Sequence, residues 1–280
     1  MQMAIKIFSV IILAINIESK AVTSNPDQKY FDANQIVVKG VFFVPLNGSN
    51  PTMEDIKCLN RHIRWSRERY RTMLNDRDTF EISLGTIEFY HSRNSLDYYR
   101  EKPEDGAPWY LDELFDHFGC DRNTCPYIYV IVVANEKDDY PIGGGRNFNG
   151  CFNRGGGLVI LSLHALRNSP NIQSTLRHEL GHAFGLPHVD VYGYDMENND
   201  SIMSYNKKHH TDYFRDSNTP GVLIPEDIRS LAANKRVFRK LTFDESKDIP
   251  KGYDIKKNIV MLGPIQLPKE RKNNLTVEKN

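Results

Sequence analysis

The chain carries no excess of charge of either sign. Its 36 lysines and arginines are matched by 36 aspartates and glutamates, so its formal net charge at neutral pH is zero. Proteins that bind nucleic acids usually have a basic surface, because contacts with phosphates dominate their affinity. We therefore expect no nucleic-acid partner.

Long apolar runs are also scarce. The most apolar stretch, residues 7–17, has only eleven residues, whereas a membrane-spanning helix needs about 20. It follows Lys6 and precedes the small residues Ser19 and Ala21, as in a secretory signal peptide. We expect residues 1–21 to be a cleaved signal and the mature protein to be secreted, with no membrane span. An N-terminal anchor is the alternative.

Cysteine is sparse, with only Cys58, Cys120, Cys125 and Cys151. An even number fits disulfides formed in an oxidising compartment. The CxxC spacing of cysteine-based zinc sites is absent. Three pairings are possible, and we favour Cys120 with Cys125 and Cys58 with Cys151.

Three Asn-x-Ser/Thr sequons begin at Asn47, Asn199 and Asn274. In a secreted eukaryotic protein such asparagines accept sugars. We therefore expect a glycoprotein if the source is a eukaryote.

Hydrophobic periodicity predicts an α/β fold. Residues 35–45 and 80–90 are typical of strands, and the run YIYVIVVA at 127–134 is typical of a central buried strand. Apolar residues at helical spacing predict helices at 52–75 and 109–118.

Domain boundaries follow from the same patterns. We expect a short N-terminal segment at 22–34, one catalytic domain at 35–240 and an extended tail at 241–280, which is rich in Lys, Asn and Pro. Residues 225–237 predict a last helix, with proline at its start and acids in its first turn, where they favour the helix dipole.

The most informative stretch is HELGHAFGLPHVD at residues 178–190. His178 and His182 are four residues apart, so on a helix both imidazoles can reach one metal ion. Glu179 is offset from that face and can take a proton from a water at the metal. The stretch predicts a catalytic zinc site.

The helix must end shortly after His182. Gly185 tolerates the left-handed conformation common at helix ends, and Pro187 prevents the helix from resuming. The chain then turns back and delivers His188 as the third ligand. Three imidazoles leave one zinc position open, as in catalytic sites.

The motif HExxHxxGxxH resembles that of the metzincin zinc endopeptidases, whose second mark is a methionine-containing turn. SIMSY at residues 201–205 is similar to that turn. The resemblance implies that Met203 lies beneath the metal and that Tyr205 approaches it or stabilises the oxyanion. It also implies a twisted mixed sheet with backing helices, an active-site helix and a small C-terminal subdomain with one helix.

Two features leave the details of this resemblance open. Val189 follows the third histidine, where the metzincin subfamilies carry other residues, so the subfamily is undecided. Asp190 could orient a ligand imidazole or replace His188 as the third ligand.

The resemblance also suggests a substrate site. In metzincins the strand ahead of the zinc helix is a sheet edge that binds extended peptides. The apolar run from Leu158 to Leu163 matches that position, so we expect a protein or peptide substrate to pair with it. The glycine-rich residues 143–157 before it favour a loop, and they lack the Lys-Ser/Thr pair of a phosphate-binding loop.

Acidic residues follow the third histidine, at Asp190, Asp195, Glu197 and Asp200. They could hold a calcium ion, but their spacing matches no calcium loop. We favour a solvated acidic loop.

These features predict a secreted zinc metalloendopeptidase with His178, His182 and His188 as ligands and Glu179 as the general base. Two alternatives remain open. The protein could be a binding protein or toxin that uses a metzincin scaffold without proteolysis, or a zinc hydrolase of small amides.

Overall fold

The computed structural model describes residues 35–83, 87–100, 110–121, 123–136, 143–148, 156–205, 221–253 and 255. The strands are β1 (Val37–Val44), β2 (Glu81–Ile82), β3 (Glu88–His91), β4 (Tyr127–Val133), β5 (Gly143–Asn147) and β6 (Gly157–Ser162). The helices are α1 (Met53–Met73), α2 (Leu96–Arg100), α3 (Tyr110–Phe118), α4 (Leu163–Asn168), α5 (Ile172–Phe184), α6 (Pro225–Ala233) and α7 (Glu245–Asp248).

The six strands form one mixed sheet. Its order is β2-β1-β4-β6-β5, and β3 also pairs with β1. Every pair is parallel except β5 with β6. Strands β1 and β4 are buried at every position, which explains their continuous apolar sequences. The predicted α/β fold class, a mixed sheet with backing helices, is confirmed.

The sheet is covered on both faces. One face packs against α1, α4 and α5 through a large core that includes Val130, Val159 and Leu180. The other face carries a smaller core, which includes Phe115 and Tyr129. Helix α5, which bears two of the predicted ligands, therefore rests directly on the sheet.

Two sequence predictions differ in detail from the fold. The strand predicted at 80–90 is two short strands, β2 and β3, which pair with different parts of β1. The short helix α7 lies within residues 241–280, which were expected to form an extended tail.

The predicted disulfide between Cys120 and Cys125 is wrong. Both are free thiols, and their sulfur atoms lie 3.6 and 3.2 Å from the Tyr129 hydroxyl. The two thiols also hydrogen-bond to each other, so they are in contact without a covalent bond. Cys58 is also a free thiol, and Cys151 lies outside the described residues.

Several other expectations lie outside the described residues. These are the signal peptide at 1–21, the segment 22–34, most of the tail and the sequon at Asn274. Within the described part of the chain, no helix is long and apolar enough to cross a membrane.

An ion pair joins α1 to α4 at the start of α1. Thr52 and Asp55 form a capping box there. The guanidinium of Arg167 also donates to both Asp55 carboxylate oxygens, at 2.9 and 2.8 Å. These bonds from Arg167 hold the pKa of Asp55 down, at about 2, although burial of the carboxyl raises it.

The Asp55→Asn variant is expected to lose about 2 kcal/mol of unfolding free energy at pH 7, because a lowered pKa adds about 1.4 kcal/mol of stability per unit. This contribution is complete above the unfolded pKa, near 4, and disappears as the pH falls through about 2. Urea titrations of both proteins at pH 7 and at pH 2 measure it. A difference of the same size at both pH values would contradict this assignment.

Candidate metal centre

Helix α5 ends at Phe184, between the second and third histidines of the motif, as the sequence predicts. Its cap residue, Gly185, has a φ of 100°, a left-handed conformation that side chains rarely adopt. The N–H of Leu186 donates to the carbonyl of Gly181, which closes the turn. The chain then reverses and carries His188 back beside the helix.

The three predicted ligands meet at one point. The Nε2 atom of His188 lies 3.0 Å from that of His182 and 3.3 Å from that of His178. The candidate ligand atoms all lie within 4.8 Å of one another. Within the described part of the chain, this is the one group of three or more His, Cys, Asp or Glu side chains able to hold a metal. It includes His188 and excludes Asp190.

Two main-chain carbonyls orient the first two histidines. The Nδ1 atom of His178 lies 2.7 Å from the carbonyl oxygen of Ile202, and that of His182 lies 2.8 Å from the carbonyl oxygen of Leu186. A carbonyl oxygen only accepts hydrogen bonds, so each Nδ1 carries the proton and each Nε2 presents a lone pair. Burial lowers the pKa of His182 to about 4, which favours this neutral form.

This arrangement suits a zinc ion. Converging lone pairs repel one another unless a cation lies between them. Zinc bonds to imidazole nitrogen are about 2.0–2.1 Å long, so tetrahedral ligands are about 3.3 Å apart, close to the observed separations. The carbonyls bound to Nδ1 are the outer partners that metal-binding histidines usually have.

Glu179 lies next to the triad in a half-buried position. Burial raises the pKa of its carboxyl to about 7, and a hydrogen bond from the main-chain N–H of Gly145 opposes that rise. Strand β5 therefore crosses directly over α5 at this residue. A carboxyl with such a pKa can exchange a proton near neutral pH.

The prediction that residues 158–163 form the sheet edge is wrong. Strand β6 lies between β4 and β5, and Leu163 is the first residue of α4. The edge strand is β5, from the glycine-rich stretch that was expected to be a loop. Glycine disfavours strands, so composition hides this one. Here glycine allows β5 to approach α5, because a methyl group at Gly145 would collide with the main chain of Glu179.

The Gly145→Ala variant is expected to lower the melting temperature, since overpacking typically costs about 1–3 kcal/mol. Gly144→Ala is the matched control, because a methyl group there would meet no atom within 4 Å. Thermal unfolding of the two purified variants measures the effect. Equal melting temperatures would contradict the close packing of β5 on α5.

Met203 is fully buried and packs against α5. Its sulfur fills the space beside Gly181, where a methyl group would collide with it. The N–H of Val189 donates to the carbonyl of Met203, which links the turn to the residue after the third histidine. The methionine turn thus lies against both segments that carry the triad.

Tyr205 stands at the open side of the triad. Its hydroxyl lies 3.0 Å from Nε2 of His188, and its ring stacks on that of His178 with centroids 5.7 Å apart. The side chain is 51% exposed. A hydroxyl placed here can reach a group bound at the metal position.

Sequence reasoning missed the groups that orient the ligands. The carbonyls of Ile202 and Leu186 belong to the main chain, so no side-chain pattern marks them. The acids at the start of α6, Glu226 and Asp227, were attributed to the helix dipole, but both are fully buried. Asn234, just after α6, is also buried.

No protein-family model matches the chain, and no curated protein matches its sequence. Solved structures do match. OgpA from Akkermansia muciniphila is 14% identical over 75% of this chain and 63% of its own, with a TM-score of 0.45. A catalytically inactive OgpA in complex with an O-glycopeptide is 15% identical over 75% of this chain and 62% of its own, with a TM-score of 0.47. This chain thus spans less than two thirds of either.

Two further solved structures are similar at a lower level. Metalloproteinase-II from Bacteroides fragilis is 14% identical over 73% of this chain and 55% of its own, with a TM-score of 0.38. Archaemetzincin from Methanopyrus kandleri is 16% identical over 60% of this chain and 81% of its own, with a TM-score of 0.27.

Proposed function

We propose that this protein is a zinc-dependent endopeptidase of the metzincin type. The observation that carries the proposal is the convergence of three imidazole Nε2 atoms within reach of one ion, beside the half-buried carboxyl of Glu179. Zinc held by His178, His182 and His188 would polarise the scissile carbonyl and lower the pKa of a water molecule to about 7.

Glu179 is the general base in this proposal. Its carboxylate accepts a proton from the attacking water and then passes it to the leaving amine. Burial favours both halves of this cycle, because it brings the pKa of the carboxyl near the working pH. A purely structural scaffold has no need for such a carboxyl, which argues against a binding protein without activity.

Tyr205 stabilises the oxyanion. Its hydroxyl already lies at hydrogen-bonding distance from His188, on the exposed side of the triad. A donor in this position can bind the oxygen that gains charge during attack. Met203 provides the buried floor beneath the ligands.

We place the peptide substrate along β5 instead of β6. Within the described residues, β5 is the last strand in the sheet order and pairs with β6 on one side. An extended peptide can add to such an edge by main-chain hydrogen bonds. The hydrogen bond between Gly145 and Glu179 places this edge beside the general base.

We also propose that the protein is secreted and that its catalytic domain has the boundaries expected from the sequence. Residues 1–21 would be removed as a signal peptide, and residues 35–240 would form the catalytic domain. Mass spectrometry of the protein secreted by a eukaryotic host would give the mature N-terminus.

Digestion of casein by the purified, zinc-loaded protein tests the proposal. We expect internal cleavages that stop with 1,10-phenanthroline and return when zinc is added back. Cleavage of blocked dipeptides alone would indicate a hydrolase of small amides. No cleavage of either substrate by protein that holds one zinc ion would favour the scaffold.

A further inference from the structure

We infer that helix α6 and the residue after it position the metal centre. Glu226, Asp227 and Asn234 are each linked to a chain segment that orients or carries a different ligand histidine. This inference rests on the proposed zinc function and identifies positioning residues for the same site.

The first link runs from Asp227 to His178. The Asp227 carboxylate accepts a hydrogen bond of 2.9 Å from the hydroxyl of Ser201. That hydroxyl accepts in turn from the N–H of Met203, at 3.0 Å. Ile202 lies between these two residues, and its carbonyl receives Nδ1 of His178. Through the Ser201 hydroxyl, Asp227 is therefore linked to both neighbours of Ile202, whose carbonyl orients the first ligand.

The second link runs from Asn234 to His182. The side-chain amide of Asn234 donates to the carbonyl of Phe184, the last residue of α5, at 3.1 Å. The left-handed Gly185 follows, and then Leu186, whose carbonyl receives Nδ1 of His182. Asn234 thus holds the C-terminal end of α5, two residues before the Leu186 carbonyl that orients His182.

The third link runs from Glu226 to His188. The two carboxylate oxygens of Glu226 accept hydrogen bonds from the hydroxyls of Tyr194, at 2.8 Å, and Tyr253, at 3.1 Å. The N–H of Tyr194 donates to the carbonyl of Val189, at 3.2 Å. Val189 immediately follows the third ligand, so this link holds the loop that carries it.

Burial supports a positioning role for these three side chains. Glu226 and Asp227 have no exposed surface, and Asn234 is 2% exposed. Burying a charged or polar group costs free energy unless bonds compensate, and apolar residues of similar size often give equal stability. Here part of that compensation comes from the segments that carry or orient the ligands, while Asp227 also accepts from the N–H of Ile224 at the start of α6 and Glu226 from the hydroxyl of Tyr253.

The test cuts each link with little change in volume. Ser201→Ala, Asn234→Leu and Tyr194→Phe each remove one of the three links. The zinc dissociation constant of each folded variant is measured by competition with a chromogenic chelator. We expect each to bind zinc about 10- to 100-fold more weakly than the original protein, the usual cost of losing an outer partner of a ligand.

Two controls separate positioning from general stability. Ser201→Thr keeps the hydroxyl and should bind zinc as tightly as the original protein, unlike Ser201→Ala. Asp55→Asn cuts the ion pair between α1 and α4 and should lower stability without weakening zinc binding. The absorption spectrum of the cobalt-substituted variants should also shift, because it reports ligand geometry.

The outcomes are distinct. Zinc affinity within twofold of the original in all three variants would overturn the inference, and so would an equal loss in Asp55→Asn. If one variant does not fold, the zinc affinities of the other two variants and of Ser201→Thr still test the inference. Failure of the original protein to bind zinc would overturn the proposed function itself.

Discussion

Replacing Glu179 with glutamine is expected to lower kcat by about 10²- to 10⁴-fold, the usual contribution of a general acid–base group. Glutamine has nearly the same shape but cannot accept the proton of the attacking water. Zinc content should not change, because the three Nε2 atoms that converge belong to the histidines. Initial rates on a fluorogenic peptide and metal analysis of the same sample measure both quantities.

Asp190→Asn is the matched control for this variant. Asp190 is exposed and acts on His188 only through its charge. Neutralising it removes a negative charge near the site without removing the proposed base, so turnover should change little. Full activity in the Glu179→Gln protein, with zinc bound, would rule out Glu179 as the base.

Replacing His188 with alanine is expected to abolish the stabilisation that zinc provides. A ligand that binds only the folded state stabilises it by about 4 kcal/mol when its free concentration is about 1,000 times the dissociation constant. Two remaining imidazoles bind zinc far more weakly than three. Melting temperatures with and without zinc should therefore differ for the original protein and coincide for the variant.

His164→Ala provides the comparison for His188→Ala. His164 is located on α4, and its ring nitrogen contacts the carbonyl of Glu136. It is not part of the ligand cluster, so its loss should leave the zinc-dependent shift intact. An undiminished shift in the His188 variant would show that this residue is not a ligand.

The helices and buried strands were predictable because their patterns are local. The apolar run at 127–134 became β4, and the helical spacing at 52–75 became α1 with Thr52 as its cap. Strand β5 was missed because its glycines carry no strand signal, and its pairing depends on contact with α5. Which strand lies at the edge of a sheet depends on tertiary contacts. The sequence pattern therefore led to β6 as the predicted edge strand, which is wrong.

The site divides in the same way. The roles of His178, Glu179 and His182 could be predicted because they depend on the geometry of one helical turn. The chain reversal that brings in His188 could be predicted from Gly185 and Pro187. The carbonyl that orients His178 belongs to Ile202, 24 residues away, whereas the one that orients His182 belongs to Leu186, four residues away, and both are main-chain groups that leave no side-chain pattern. Their positions depend on how α6 packs, which no local pattern reveals.

The disulfide prediction failed for a related reason. Counting cysteines shows which bonds are possible, but only the fold shows which contacts each sulfur makes. Both thiols at 120 and 125 contact the hydroxyl of Tyr129, which comes from the central strand β4.

X-ray absorption spectroscopy of the zinc-loaded protein tests the central claim most directly. We predict one zinc ion per chain, bound by three imidazole nitrogens at about 2.0–2.1 Å and by oxygen in the remaining position. The His188→Ala protein should lose this signal. Zinc well below one per chain, or sulfur scattering from cysteine ligands, would contradict a centre built from His178, His182 and His188.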